Sequence, residues 1–230
     1  MCGFSRRFDE SYRAAYEKIS NGDIGRPTIV RSQTCDKHDP SGFFVDYAAW
    51  SGGVFVDMSV HDIDLTLWFF GDDAIPKSVS AYGVTAVQPE LKKHKDVDNA
   101  VGIVEFHNGR IAYYFCSRMM AHGQEDVTEI IGTEGKLSVN LNPQNNLVNY
   151  YHPGGITREV PPHYWGRFEQ AFVRETNEFV DACLDNTPLP MKLGNAVKAV
   201  QIGAWLQEAL ITGQSLKFDE TGRRVEVSKI

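Results

Sequence analysis

The feature that most constrains the fold is a change of hydrophobic period near Lys77. From there to about Val160, apolar residues recur at every second position, in short runs separated by turns such as Asn108-Gly109. A period of two is typical of strands, and an Asn-Gly pair between two such runs is a strong hairpin signal. We therefore predict an antiparallel meander of seven strands, at 78–85, 99–106, 110–117, 127–132, 136–141, 147–152 and 157–160, with two further strands at 27–35 and 215–218.

Helical patterns lie on both sides of this strand region. A first helix is capped by Asp9 or Ser11, and a second, apolar on nearly all sides, covers 54–70. A helix of that composition is buried. Two more helices are predicted at about 164–184 and 194–212. Strands that are grouped together, with helices grouped before and after them, predict an α+β fold rather than a doubly wound sheet.

Two of the predicted strands are apolar on both faces. Every residue of Ile111–Cys116 is apolar or aromatic, and Ala100–Val104 is nearly so. An antiparallel strand with one face in water alternates apolar with polar residues, so helices or a second subunit must cover both faces here. The chain offers few helices for two faces, and large apolar patches are seldom left open. We therefore expect a homo-oligomer that forms through one face of the sheet.

Composition argues against several classes of function. The chain has 230 residues, enough for one or two domains, and its net charge of −7 argues against a nucleic-acid partner. No apolar run reaches the length of about 18 residues that spans a bilayer, and no secretory signal follows Met1. The four cysteines are scattered, without metal-type spacing. We expect reduced thiols in a cytoplasmic protein that binds neither nucleic acid nor membrane.

The strongest candidate for chemistry is an acidic residue and a histidine in the second helix. Asp57 and His61 are four positions apart, so on one continuous helix they share a face, and Asp64 lies near the same stripe. A carboxylate beside an imidazole fixes its tautomer and raises its basicity, which suits a general base near neutral pH. The same residues also fit a structural role, with His61 satisfied in the core and Asp57 favoured by the helix dipole. Spacing alone leaves both interpretations open.

Other polar positions give weaker signals. Arg6 and Arg7 are either a solvated pair or part of a site, and His38 belongs to a polar loop that could line one. Trp165 opens a helix, where an aromatic residue is either core or a platform for a sugar. No phosphate-binding glycine motif occurs. We predict no metal site, because no His-x₃-His or cysteine-rich ligand set supports the side chains that could form one: Asp57, His61, Asp64 and His38.

Four segments taken together resemble the Gfo/Idh/MocA oxidoreductases. The segments are Gly3-Phe4-Ser5-Arg6-Arg7-Phe8-Asp9, Gly22-Asp23-Ile24-Gly25-Arg26-Pro27, Gly52-Gly53 with Asp57 and His61-Asp62-Ile63-Asp64, and Gly132-Thr133-Glu134-Gly135. The match runs from about Gly3 to the last helix and is most similar to the myo-inositol 2-dehydrogenase branch. The resemblance implies an NAD(P)-dependent dehydrogenase in which a Rossmann domain precedes an α+β domain. That second domain has a large, mainly antiparallel mixed sheet with helices packed on one face, as in the C-terminal domain of glyceraldehyde-3-phosphate dehydrogenase.

The resemblance also implies roles for individual residues. In the family a Lys-Asp-His set acts on a sugar or polyol, and the His takes the hydroxyl proton as hydride leaves for the nicotinamide. Asp57 and His61 match the Asp and the His of that set. Arg6 matches a substrate-contacting arginine, and Phe172 stands where inositol dehydrogenases tend to have a tyrosine. The candidate catalytic residues are therefore His61 and Asp57, and the candidate substrate-binding residues are Arg6, His38, Trp165 and Phe172.

The cofactor-binding part of the family has no counterpart in this sequence. Neither the glycine-rich turn nor the Glu-Lys-Pro motif with its catalytic lysine occurs. We therefore interpret residues 1–230 as the substrate-binding and oligomerisation domain alone. We expect it to bind a small polyol or sugar, to bind no NAD or NADP by itself and to be inactive in hydride transfer. The alternative is a stand-alone, cofactor-free module that binds a polyol or serves in assembly.

Overall fold

The computed structural model describes residues 1–71 and 73–225. Within these ranges, none of the helices is both long and apolar enough to cross a membrane. Two 3₁₀ turns cover Ser5–Phe8 and Pro89–His94. The helices and strands are, in chain order, α1 (Glu10–Ser20), β1 (Pro27–Lys37), α2 (Phe43–Tyr47), α3 (Val54–Asp57), α4 (Val60–Phe70), β2 (Pro76–Val84), β3 (Asn99–Phe106), β4 (Ile111–Met120), β5 (Glu125–Gly132), β6 (Lys136–Val139), β7 (Asn149–His152), β8 (Gly155–Arg158), α5 (Tyr164–Leu184), α6 (Leu193–Thr212), β9 (Leu216–Phe218) and β10 (Arg224–Val225).

The elements that periodicity predicts are present, with small shifts at their ends. α1 is capped as expected, because Asp9 Oδ1 accepts hydrogen bonds from the backbone N–H groups of Ser11 and Tyr12 at 3.1 and 3.2 Å. This satisfies donors that the first turn of a helix leaves without partners. Two short elements are not predicted: α2, which lies in a polar loop, and β10, which has two residues. Both are too short to show a period, so local pattern identifies most elements but not these.

The single helix predicted over 54–70 is two helices. α3 ends at Asp57 and α4 begins at Val60, with Met58 and Ser59 between them. Ser59 has a ψ of −9°, far from the value of about −42° in an α-helix. Asp57 and His61 therefore belong to different helices, α3 and α4. α4 itself is buried along nearly its whole length, as its apolar composition predicts.

Eight of the strands form one sheet in the order β10-β9-β2-β3-β4-β1-β5-β6. β1 lies between β4 and β5, parallel to β4 and antiparallel to β5, and the other neighbours are antiparallel. The sheet is therefore mixed and mainly antiparallel, which confirms the predicted fold class. The prediction of a simple meander is wrong, because β1 separates β4 from β5 and because β7 and β8 pair apart from the main sheet.

Helices cover one face of the main sheet. α6 packs on β2, α3 and α4, and it approaches α3 closely because Gly203 has no side chain: a Cβ there would lie 3.2 Å from the carbonyl oxygen of Phe55. Side chains from both layers form one core between the helices and the sheet. Its large, fully buried members include Phe55, Ile63, Leu65, Tyr114, Ile130 and Leu206.

The opposite face of the sheet carries no helix among the described residues. On β4, Ala112 and Tyr114 are buried under the helices, whereas Ile111 is 42% exposed on the other face. Strand β1 repeats this alternation, with Val30 buried and Ile29 partly exposed. Both faces of the central strands are apolar, as the sequence indicates, and this chain covers one of them.

The core between α6 and the sheet should respond to a loss of volume. Leu206 is fully buried, so Leu206→Ala should lower the free energy of unfolding by about 2–5 kcal/mol. The control Leu193→Ala, at a 66% exposed position of the same helix, should change it by less than about 0.5 kcal/mol. Urea unfolding followed by circular dichroism measures both. Equal losses in the two variants would contradict the placement of α6.

Candidate functional site

The N-terminal turn buries Arg6, which is 3% exposed. Its guanidinium donates hydrogen bonds to Asp62 Oδ1 at 2.7 Å, to Thr34 Oγ1 at 2.6 Å and to Asp126 Oδ1 at 2.5 Å. These partners lie on α4, β1 and β5, so one side chain connects three elements to the turn. Burial disfavours the charge, but the carboxylates of Asp126 and Asp62 outweigh this and raise the pKa of Arg6.

The neighbouring Arg7 is also buried, but it contacts different side chains, Asp64 and Trp68. Its Nε and Nη2 donate to the two carboxylate oxygens of Asp64, both at 2.7 Å, and the guanidinium carbon lies 5.3 Å from the centroid of the Trp68 ring. The interpretation of Arg6 and Arg7 as a solvated pair is therefore wrong. Asp64, which the sequence places near the stripe of Asp57, is paired with Arg7 instead. Burial raises the pKa of the Asp64 carboxyl group.

Asp57 is held by groups other than His61. Its Oδ1 accepts a hydrogen bond from the Tyr47 hydroxyl at 2.9 Å, and its Oδ2 accepts one from the fully buried guanidinium of Arg118. Asp57 ends α3, and His61 lies in α4 beyond the two junction residues. Among the described residues Asp57 makes no hydrogen bond to His61, so the expectation that it fixes the tautomer of that ring is wrong.

His61 is half-buried and lies near Arg6. Its ring packs edge-on against Phe4, with centroids 5.7 Å apart. Burial, and then the charge of Arg6, lower the pKa of His61 to about 3, so the imidazole is neutral at neutral pH. Its Nδ1 is buried and has no hydrogen-bond partner in the described part of the chain. A neutral imidazole carries a lone pair on one ring nitrogen and can accept a proton there.

Asp57, His61 and Arg6 line one cavity of about 590 Å³, a volume that fits a small-molecule ligand. The cavity lies between the N-terminal turn, the end of β1, α2, the α3–α4 junction and the starts of β5 and α5. Its other polar lining includes Ser5, Thr34, Asp36, Lys37, Asp39, Gln124, Asp126 and His163, and its aromatic lining is Phe43, Phe44, Tyr47, Tyr164, Phe168 and Phe172.

Two of the four predicted substrate-binding residues, Arg6 and Phe172, line this cavity, and two do not. Trp165 is 57% exposed and packs on Phe172, with ring centroids 5.1 Å apart. His38 is half-buried between two neighbours that line the cavity. Trp165 therefore supports the aromatic wall from outside, whereas His38 is adjacent to the lining only along the chain.

Sequence reasoning missed the buried carboxylates that accompany Arg6. Asp126 is 120 positions away along the chain, and no short motif connects the two. Burial raises the pKa of Asp126 to about 6, although Arg6 opposes this, and burial also raises the pKa of Asp36. One signal was available in the sequence. Asp126 lies two and four positions before Thr128 and Ile130, so all three share the inward face of β5, and a charge at an inward position is costly unless it has a partner.

Among residues 1–71 and 73–225, no group of three or more side chains is arranged to hold a metal ion. The donors of the predicted metal alternative are dispersed: Asp57 is bound to Arg118, and Asp64 to Arg7.

Comparison with known proteins defines the class. The sequence profile of the GFO/IDH/MocA C-terminal domain matches residues 12–138, which is more than half of the chain. The chain belongs to the GFO/IDH/MocA C-terminal domain family.

The relatives within this family include inositol dehydrogenases. Scyllo-inositol 2-dehydrogenase (NAD(+)) from Bacillus subtilis is 29% identical over 218 residues, which cover 94% of this chain and 62% of that protein. Scyllo-inositol dehydrogenase from Lactobacillus casei, solved with bound NAD(H) and scyllo-inositol, matches with a TM-score of 0.88 and 34% identity, over 94% of this chain and 64% of its own. Myo-inositol 2-dehydrogenase from Lactobacillus plantarum gives a TM-score of 0.89 and 29% identity, with the same coverage. The chain thus spans somewhat less than two thirds of the length of these relatives.

Removing the charge of Arg6 should destabilise the fold, because it leaves two carboxylates buried without their cation. Arg6→Met is expected to lower the free energy of unfolding by about 3–5 kcal/mol. The control Arg224→Met breaks an exposed pair with Glu208 and should cost about 0–1 kcal/mol. Urea titration at pH 7 measures both. A loss below about 1 kcal/mol for Arg6→Met would show that Arg6 does not hold the elements together.

The pKa of His61 predicts a pH dependence of stability. Because this pKa is lowered from 6.5 to about 3 on folding, the unfolded chain binds a proton between these values that the folded chain does not, and stability falls as the pH falls through this window. His61→Gln should therefore lose less stability between pH 7 and pH 4 than the wild type. Urea unfolding at several pH values tests this, and parallel curves for the two proteins would contradict a neutral His61.

Proposed function

We propose that the chain binds a neutral polyol of the inositol class in this cavity, with His61 as the acceptor of the proton of the reacting hydroxyl. The observation that carries the proposal is that a neutral imidazole with a free nitrogen and a fixed carboxylate line the same cavity. A general base must be unprotonated at the working pH and must reach the proton directly or through one water. Asp57, held by Arg118 and Tyr47, is placed to accept a hydrogen bond from a second hydroxyl.

The lining of the cavity suits a polyhydroxylated ring. Carboxylates and a carboxamide offer acceptors and donors to hydroxyl groups, while Phe168 and Phe172 offer apolar surface to the C–H groups of the ring. Pockets of this kind combine an aromatic wall with a few oriented polar groups. The names of the relatives, which are inositol dehydrogenases, support the same class of ligand.

A nicotinamide dinucleotide, named for the Bacillus and L. casei relatives, does not fit the described residues. Dinucleotides are held where a strand leads through a glycine-rich turn into a helix whose N-terminus faces the phosphates. Here β1 leads to α2, which has five residues, and β8 leads to α5 past Pro161 and Pro162, with His163 at the cap. We therefore assign polyol binding and proton acceptance to this chain, and no step of hydride transfer.

Polyol binding is directly measurable. Isothermal titration of the chain with myo-inositol and scyllo-inositol should show saturable binding. His61→Ala and Asp57→Asn should each weaken it by roughly fivefold to tenfold, the effect of losing about one hydrogen bond. The matched control His152→Ala changes a histidine of the β7–β8 hairpin, outside the cavity, and should leave the affinity unchanged.

The same titration with NAD⁺ present separates binding from turnover. We expect no formation of NADH when polyol and NAD⁺ are added to this chain alone. Unchanged affinity in both cavity variants would place the polyol elsewhere. Micromolar dinucleotide binding together with polyol oxidation would contradict the assignment of polyol binding alone.

We also propose that two copies of the chain associate through the open face of the sheet. Ile103 of β3 and Ile111 of β4 are 41% and 42% exposed on this face, beside a groove of about 540 Å³. Arg31 and Glu129 lie on the same face, 2.8 Å apart. Because the face carries an apolar centre and charges of both signs, it can match itself across a two-fold axis, as isologous interfaces do.

The oligomeric state tests this interface. Sedimentation velocity at micromolar concentration should show a dimer or larger species for the wild type and a monomer for Ile111→Lys, because a charge is buried when the two faces meet. The control Val197→Lys changes a 59% exposed position of α6, on the opposite side of the molecule, and should leave the assembly intact. A monomeric wild type, or dissociation by Val197→Lys alone, would exclude the sheet face as the interface.

A further inference from the structure

One oxygen of a carboxylate in the cavity wall has no partner. Asp126 is 1% exposed and lines the cavity. Its Oδ1 accepts a hydrogen bond from Arg6 at 2.5 Å. The carboxamide of Gln124 lies near enough to lower the pKa of Asp126, but Oδ2 is buried without a hydrogen-bond partner in the described part of the chain. A buried acceptor without a donor is destabilising. The position of Asp126 in the wall means that a ligand in the cavity can supply that donor.

The charges next to Asp126 do not balance. Arg6 is shared between Asp126 and Asp62, so this group of three carries one negative charge in excess. Asp36, at the end of β1, also lines the cavity and disfavours the charge of Asp126. The excess negative charge therefore lies at the cavity wall and not on the outer surface.

The remaining titratable groups around Asp126 do not correct this excess. Tyr12 of α1 is neutral at neutral pH, because burial raises the pKa of its hydroxyl to about 12. Arg167 of α5 is bound to Asp9 at 2.7 Å, and His61 of α4 is neutral for the reason given above. β1 brings both a carboxylate, Asp36, and a cation, Lys37, to the lining of the cavity. These two charges cancel, and the other groups are neutral or already paired, so the excess negative charge at Asp126 remains.

A carboxylate of this kind discriminates between ligands by charge. A hydroxyl or an ammonium group can donate a hydrogen bond to Oδ2, and the ammonium also offsets the excess charge. A phosphate or carboxylate group offers acceptor oxygens and is repelled in a cavity of low dielectric constant. A repulsive element of this type is a common basis of specificity.

We propose that Asp126 is a specificity-determining residue of the cavity: its Oδ2 accepts a hydrogen bond from a hydroxyl or amino substituent of the polyol ring and excludes ring analogues that carry a phosphate there. This inference rests on the proposed polyol-binding function and adds a residue that neither the helix motif nor the resemblance identifies. A role as counter-ion of Arg6 does not account for both oxygens of Asp126. Arg6 donates to Oδ1, and this role leaves Oδ2 without a partner among the described residues.

Calorimetric titration of the full chain tests this with three ligands: myo-inositol, an amino-deoxy-inositol and an inositol monophosphate. The wild type should bind the amino compound at least as tightly as myo-inositol, and the monophosphate at least roughly tenfold more weakly. Asp126→Asn removes the charge with little change of shape. It should weaken the amino compound relative to myo-inositol and reduce the discrimination against the monophosphate by about tenfold.

A matched control is available on the same strand. Glu125→Gln removes the adjacent carboxylate, which bonds Gln33 on the open face of the sheet at 2.7 Å, and it should leave the ratios of the three affinities unchanged. If Asp126→Asn does not fold, carbon-13 NMR of the wild type replaces it, and the Asp126 carboxyl resonance should shift on addition of myo-inositol.

The outcomes separate this inference from the function on which it rests. Absence of binding of all three ligands to the wild type would overturn the proposed function and, with it, this inference. Binding of myo-inositol with ligand ratios that Asp126→Asn leaves unchanged, or with no shift of the Asp126 carboxyl resonance, would overturn the inference alone.

Discussion

The rest of the structure depends on the hydrogen bonds that the buried guanidinium of Arg6 donates to Asp62, Thr34 and Asp126. This guanidinium joins the N-terminal turn to α4 through Asp62, to β1 through Thr34 and to β5 through Asp126. The cavity is bounded by these same elements, so the ion pairs that stabilise the fold also set the position of His61. The charge that keeps the elements together also lowers the pKa of His61 and leaves Asp126 with a free oxygen.

Much of the fold could be predicted from local pattern, because strands and helices differ in hydrophobic period and most elements here are long enough to show it. The apolar character of both faces of β4 correctly indicated a face that residues 1–71 and 73–225 leave uncovered. The order of the strands could not be predicted in the same way. β1 inserts between β4 and β5 through contacts over about 80 to 100 positions, such as Val30 with Ala112 and Ile130, and a period carries no information on such pairings.

The site was predictable only in part, for a related reason. A spacing of four identified Asp57 and His61, and both line the cavity, although this segment forms two helices and not one. The partner of Asp57 is Arg118, a residue 61 positions away, which a local pattern does not reveal. Asp126 was missed because its importance comes from Arg6, which is brought to it only by the fold. The resemblance identified Arg6, yet only the structure shows how completely its hydrogen bonds are used.

If the cavity binds a neutral polyol with one hydroxyl at His61, a crystal structure of this chain grown with myo-inositol will show the contact. We expect the ring against Phe168 and Phe172, with one oxygen within hydrogen-bond distance of a ring nitrogen of His61 and another near Asp57. A ring bound outside this cavity, or bound within it without a contact to His61, would refute the proposed binding mode.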